Sequence, residues 1–308
     1  PWVTELKKEK RFKSFSARSG DGGRFMKRFR LPIIISSLLA LFFFLRGYAS
    51  TVERILRVSD GKVLSLSELT RDLIESRLVF VGEIHTYQNH HHMQLETIRA
   101  IKNAGAPVAI GLEMFRRDSQ TDLDRWVEGE LSEKEFQKIY YKNWNYPWPL
   151  YRDIFLFARD HNIPMVGLNV PPEITKQVAR EGFASLSPKQ RGDLPMVTCR
   201  VDPEYMAFVR RSLGMHGHGG MEFTNFCEAQ LVWDTAMAWT LLRFLEKDPK
   251  ATVVVIAGKG HSWKLGIPAQ IKSRSTLPFR VILPEIPGRV ERGNISMAEA
   301  DYVWLGLK

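Results

Sequence analysis

Five short apolar runs rich in β-branched residues recur along this chain. They are LVFVG (78–82), VAIGL (108–112), PMVGL (164–168), VVVIAG (253–258) and FRVIL (279–283), each followed by glycine or polar residues. Hydrophobicity within each run is continuous, not alternating, which predicts strands buried on both faces, as in a parallel sheet. Helical periodicity lies between them. Residues 89–104 set His91, Leu95, Ile98 and Ile101 on one face, with Asn89 available as N-cap. Residues 150–161 form a second helix ahead of the 164–168 run. This alternation predicts an α/β fold, a parallel sheet flanked by helices and joined by right-handed crossovers.

Two stretches break the rhythm. Residues 117–149 contain a helix starting near Ser132, where Ser132 and Glu135 have capping-box spacing, and then the aromatic-rich turn YYKNWNYPWPLY. Residues 186–247 read as helical throughout. Ser187-Pro188 and Asp202-Pro203 each place a capping residue before a proline at the first helical position, and a long helix runs from Thr224 to Glu246. Both stretches are expected as helical insertions forming a smaller all-helical domain beside the sheet. The chain shows no internal repeat and no low-complexity linker.

The net charge of +10 over 308 residues invites a nucleic-acid reading, but its distribution removes it. Residues 1–49 hold eleven Lys and Arg against three Asp and Glu, whereas the remainder holds 33 against 31. A nucleic-acid face needs basic residues clustered on the folded domain, so no nucleic-acid partner is expected. From Met26 the basic residues Lys27, Arg28 and Arg30 precede an apolar run from Leu31 to Leu45, and Gly47-Tyr48-Ala49 offers small residues for cleavage. That is the layout of a secretory signal peptide. An uncleaved anchor is the alternative, but the run reaches only ~22 Å against a ~30 Å hydrocarbon core. Residues 1–49 are therefore read as leader and signal peptide, residues 50–308 as the folded domain, and the protein as exported to the periplasm or envelope. Cys199 and Cys227 could pair there or stay as thiols, and no cysteine follows the apolar run to carry a lipid.

Ligands of open parallel sheets bind beyond the carboxyl ends of the strands. Three of the runs end there in ionisable residues: Glu83 and His85 after the first, Glu113 after the second, His261 after the fourth. Two imidazoles and two carboxylates could hold a divalent metal with an open position, act as a metal-free acid/base set, or close the sheet as a hydrogen-bonded cluster. The neighbouring histidines divide. His90, one turn from Gln94, can face the site; His91 belongs to the apolar face; His92, one turn from Glu96, reads as a solvated pair. His161 reads as structural, and Gln230 and Asp234 on the long helix read as orienting loop backbone. A second constellation, Tyr205 with Met215, His216 and His218, lies at a glycine-rich helix end and offers three side-chain types that ligate haem iron. The bland alternative there is a solvent-exposed loop.

The segments VGEIHTYQNHHHMQLE, GLEMF, GLNVP, EAQLVWDTAMA, AGKGH, LGIPAQI and ADYVW occur in this order over roughly residues 60–305. In that order they resemble the ChaN family of haem-binding envelope proteins, which falls in a broader group with the erythromycin esterases, the TraB proteins and the Tiki proteases. The resemblance implies a parallel α/β domain with a smaller helical domain, and a role in iron or haem uptake. It also implies a homodimer around cofacial haems and a tyrosine ligand, for which Tyr205 is the matching position and His216 the alternative. The broader group implies a hydrolytic Gly-x-x-His motif with a glutamate, here Gly82, His85 and Glu113. The chain departs from that pattern at Thr86, where relatives carry an acidic residue, and in lacking the lipid-bearing cysteine. Haem binding in envelope uptake, alongside the uptake machinery, is thus the leading expectation, and a metal-dependent hydrolase using Glu83, His85, Glu113 and His261 is the rival.

Overall fold

The strands fall where the apolar runs predict them. The computed structural model describes residues 54–192, 194 and 220–307, which lie within one compact unit, Val52–Lys308. In chain order the strands are β1 (Arg54–Arg57), β2 (Val63–Leu64), β3 (Leu78–Glu83), β4 (Val108–Arg116), β5 (Met165–Asn169), β6 (Thr252–Gly258), β7 (Phe279–Pro284) and β8 (Tyr302–Leu305). They form one sheet in the order β2-β1-β8-β7-β3-β6-β4-β5. All pairings from β8 across to β5 are parallel, while β1 runs antiparallel to both β8 and β2. The sheet is therefore mixed, not wholly parallel as expected. The added strands have two to four residues each, too short for an apolar run to announce them.

The helices are α1 (Leu66–Leu73), α2 (Gln88–Asn103), α3 (Gln120–Val127), α4 (Glu133–Asn143), α5 (Trp148–Asp160), α6 (Pro172–Glu181), α7 (Pro188–Gly192), α8 (Gly220–Lys247), the single turn α9 (Lys259–Ser262) and α10 (Ile267–Lys272). The Ser132–Glu135 capping box at the start of α4 forms as predicted. The N-cap of α2 is Tyr87 and not Asn89, with no side-chain capping bond.

Successive residues of a strand face opposite sides, and here both sides are covered. Val79, Val81, Val254 and Ile256 pack on one side with Met93, Ile98 and Ile101 of α2 and a stack of rings, Trp126, Phe136, Tyr140 and Phe155, from α3, α4 and α5. Leu78, Phe80, Val253 and Val255 pack on the other with Met237, Leu241 and Leu245 of α8 and Ile267 and Ile271 of α10. This double covering is the physical reason the strand runs are continuously apolar. Each large ring in the stack contributes ~1.5–3 kcal/mol through burial.

No separate all-helical domain emerges among the described residues. The long helix α8 lies on the sheet, and its earlier turns pack Ala229, Val232 and Ala236 against Ile174 and Val178 of α6 in a small satellite cluster. The helices of 117–149 likewise cover the other face. Among the described residues no helix is long and apolar enough to cross a membrane. The leader and signal residues 1–49, Cys199, Asp202-Pro203, Tyr205, Met215, His216 and His218 lie outside the described residues; Cys227 is buried in the sheet core.

Candidate functional site

Gly82 explains how the carboxyl edge can assemble. A Cβ there would lie 2.7 Å from Leu283 Cδ2 and 3.3 Å from the Cα of Lys259. The turn α9 thus passes over the end of β3 only because position 82 has no side chain. Parallel pairing of β6 with both β3 and β4 brings the three strand ends to one place, and α9 adds His261 to them.

The sequence-predicted residues do meet there, as two histidine–carboxylate pairs. His85 Nδ1 stands 2.5 Å from Glu83 Oε1, which also accepts a hydrogen bond from the Tyr151 hydroxyl at 2.5 Å. His91 Nε2 stands 2.9 Å from Glu83 Oε2, an ionic contact in which the N–H does not point at the oxygen. Across the edge, His261 Nδ1 stands 2.5 Å from Asp234 Oδ1 of α8, and Gln230 Nε2 reaches the same ring nitrogen at 2.8 Å. Glu113 lies between the pairs. Its Oε2 accepts the Gly258 N–H at 2.6 Å, and its Oε1 is 3.6 Å from His261 Nε2. Asn169, from the GLNVP segment, donates to the Glu113 carbonyl at 2.8 Å and fixes the end of β4.

Burial and charge act against each other here. Burial alone would raise the pKa of Glu83, but the hydrogen bond of His85 and the close contact with His91 override it and hold that carboxyl well below its ordinary range. Burial would lower His85, yet its hydrogen bond to Glu83 and the charge of Glu113 raise it. His261 is likewise raised, burial being outweighed by Asp234 and Glu113. Each pair therefore favours an ionic, strongly bonded state. Only His85 opens outward, its side chain 17 % exposed, with Trp144 and Tyr146 of the aromatic turn at ring-centroid distances of 5.0 and 4.9 Å.

Several sequence expectations need correction. His91 is buried as expected but reaches Glu83 as well as packing in the core. His92 is exposed and Glu96 pairs with Arg99 at 2.9 Å, so the expected His92–Glu96 pair does not form. Asp234 and Gln230 both hold His261. Their helical spacing was visible, but only the packing of α8 on the sheet reveals the target. Tyr151 was missed too, its one signal being membership of the aromatic-rich turn. His161 is structural, its Nδ1 donating to the Phe157 carbonyl at 3.0 Å.

The divalent-metal reading of Glu83, His85, Glu113 and His261 gains no support. Among the described residues no group of three or more His, Cys, Asp and Glu side chains is arranged to hold a metal ion. One oxygen of each carboxylate is already committed to hydrogen bonds: Glu83 Oε1 to His85 and Tyr151, Glu113 Oε2 to the Gly258 N–H.

Residues 69–271 match the family described as haem-binding uptake, Tiki superfamily, ChaN. The chain belongs to this family. Among solved structures, cofacial heme binding to ChaN of Campylobacter jejuni is similar to this chain, with 18 % identity, 83 % of this chain and 98 % of that one covered, and a TM-score of 0.67. At that identity the likeness shows that this chain has the ChaN α/β fold. Weaker likenesses extend to the type III effector HopBA1 (14 % identity, 77 % and 91 % covered, TM-score 0.47) and to a mutant of the erythromycin esterase EreC in its open conformation (14 %, 70 % and 72 %, 0.45). No curated protein matches the sequence.

Proposed function

We propose that this ChaN-family chain binds haem in the cell envelope and serves iron uptake. The observation that carries the reading is the family match across residues 69–271. The donor chemistry of the described residues is compatible with it. His85 keeps Nδ1 on Glu83, opens at the sheet edge and is walled by two flat aromatic rings, an imidazole setting that suits haem better than a hard cation. Tyr205 would hold the iron through its phenolate, with His216 as the alternative. A homodimer would enclose the haems, which would lie cofacially as named for the Campylobacter jejuni protein. The partners are then haem, a second copy of this chain and the envelope uptake machinery.

Titration of the purified protein with haemin tests this directly. A phenolate charge-transfer band should appear and be lost in Tyr205→Phe, and sedimentation should show a dimer on loading. A phenolate band unchanged in that variant would exclude Tyr205 as its source, haemin bound without any phenolate band would move the ligand to His216, and no haemin binding at all would overturn the proposal. Export is part of the same reading. The N-terminus of the envelope protein should be Ser50, and an intact chain retained in the cytoplasm would refute secretion.

A second reading is favoured by the two histidine–carboxylate pairs. His85 with Glu83 and His261 with Asp234 face Glu113 across one edge, an arrangement suited to general acid–base hydrolysis without a metal. Ester turnover lost in His85→Ala and His261→Ala but kept in Tyr205→Phe would support it. No turnover above buffer across a panel of esters would remove it.

A further inference from the structure

At the other end of the strands from the histidine–carboxylate pairs, a second set of charged side chains surrounds a cavity of about 430 Å³. The starts of β7 and β8, the end of β1 and the last turn of α1 line it with Arg280, Tyr302, Arg57 and Arg71. Because β7 and β8 run parallel to β3, their first residues lie at the amino-terminal edge of the sheet. Antiparallel β1 ends there too, with Arg57 opposite Tyr302.

Three carboxylates also line the cavity, and two of them are spoken for. Asp301 takes Lys264 Nζ on Oδ1 at 2.7 Å and the Val281 N–H on Oδ2 at 2.8 Å. Asp72 Oδ2 accepts the Tyr302 hydroxyl at 2.8 Å and stands 3.5 Å from Arg57 Nη1. Arg57 is itself held by both oxygens of Asp60, at 2.8 and 3.1 Å. Arg71, Arg280 and Glu75 are what remain. None of these three is in a salt bridge among the described residues, although the exposed Glu75 follows Arg71 by four positions. Arg280 spends one N–H on its own strand, Nη1 donating to the Phe279 carbonyl at 3.0 Å. Burial and then Asp72 raise the Tyr302 pKa while Arg280 opposes them, which sets that guanidinium beside the Tyr302 hydroxyl. The Ser59 hydroxyl also faces the cavity and has no hydrogen-bond partner among the described residues. Two uncommitted cations against one exposed acid leave the cavity positive.

We propose that this cavity binds the phosphate group of a small phosphate monoester. Arg71 and Arg280 each present a planar fork of N–H groups, and Ser59 adds a hydroxyl from the turn between β1 and β2. A phosphate monoester offers three terminal oxygens and close to two negative charges, which match three donors and two cations. A carboxylate offers two oxygens and one charge. The volume admits more than the phosphate alone, and Met297 gives the esterified group an apolar wall. The ester comes either from a soluble metabolite or from a lipid headgroup. The proposal is independent of haem binding, which concerns the opposite edge.

The test is calorimetric titration of the full-length protein with glycerol phosphate, with glycerol as the uncharged control and soluble dihexanoyl phosphatidic acid as the lipid form. Glycerol phosphate should bind and glycerol should not. Arg71→Gln and Arg280→Gln should each weaken binding about tenfold or more, the order of one lost charge-assisted contact. Glu75→Gln should tighten it by removing the uncommitted acid. Arg243→Gln, an exposed position on α8, changes net charge as Arg71→Gln does and should have no effect. Tighter binding of the diacyl form would assign the site to a headgroup, and equal or weaker binding to a soluble ester. Either supports the site. No saturable binding of either phosphate, or equal losses in Arg243→Gln and Arg71→Gln, overturns it. Both of those side chains are exposed, so neither variant threatens folding.

Discussion

Gly258 and His85 touch across the sheet edge: a Cβ at position 258 would stand 3.0 Å from His85 Cε1 and 3.1 Å from its Nε2. The imidazole lies over the end of β6 because that strand finishes in a residue with no side chain. Gly258→Ala should therefore displace His85 and cost ~1–3 kcal/mol through overpacking. Histidine NMR should show the His85 resonances shifted. Gly260→Ala, two residues on with nothing within 4 Å of its Cβ, is the control and should leave them in place.

Tyr151→Phe removes the hydroxyl that donates to Glu83 Oε1 but keeps the ring packed against His91 at 4.1 Å. The loss of a hydrogen bond to a buried carboxylate should cost ~1.5–3 kcal/mol. Chemical denaturation should show a lower midpoint with an unchanged slope. An unchanged midpoint would mean that the His85 hydrogen bond alone suffices for Glu83 Oε1.

Asp234→Asn keeps the shape of the His261 partner and removes its charge. Burial would then act on His261 with less opposition, so its raised pKa should fall, and the folded state should lose ~1–3 kcal/mol near neutral pH. Titration of the His261 resonance would check this. A curve superposing on wild type would assign the elevation to Glu113.

Stability should decline on both sides of neutrality, for opposite reasons. Burial pushes the His90 pKa down from 6.5 to about 4. As pH falls below 6.5 the unfolded chain takes up that proton first, and the stability of neutral His90 is lost between those values. Glu83, held low, loses its contribution further down, as pH falls below 4.5. His85 and His261 are raised, so their contribution is full below 6.5 and lost as pH rises through their folded-state pKa values. Melting temperature against pH should be dome-shaped, and His90→Asn should flatten its acidic limb between 6.5 and 4. A limb equally steep in that variant would exclude His90 as its source.

The sequence by itself determined the five central strands, because residues buried on both faces of a sheet must be apolar without interruption. It also placed Glu83, His85, Glu113 and His261 at one edge, since parallel strands share the side on which their carboxyl ends emerge. Local chemistry sufficed for the Ser132–Glu135 cap, which spans four consecutive residues. It did not suffice for β1, β2 and β8, whose two to four residues carry too little periodicity. Nor could it find the partners of the edge. Asp234 lies 27 residues before His261, and Tyr151 lies 68 after Glu83. Only the packing of α8 and α5 on opposite faces of the sheet brings them to it. The same packing spent on hydrogen bonds one oxygen each of Glu83 and Glu113, which the sequence had left open. Side-chain identity is local, but what a side chain has left to offer depends on every neighbour that the fold delivers.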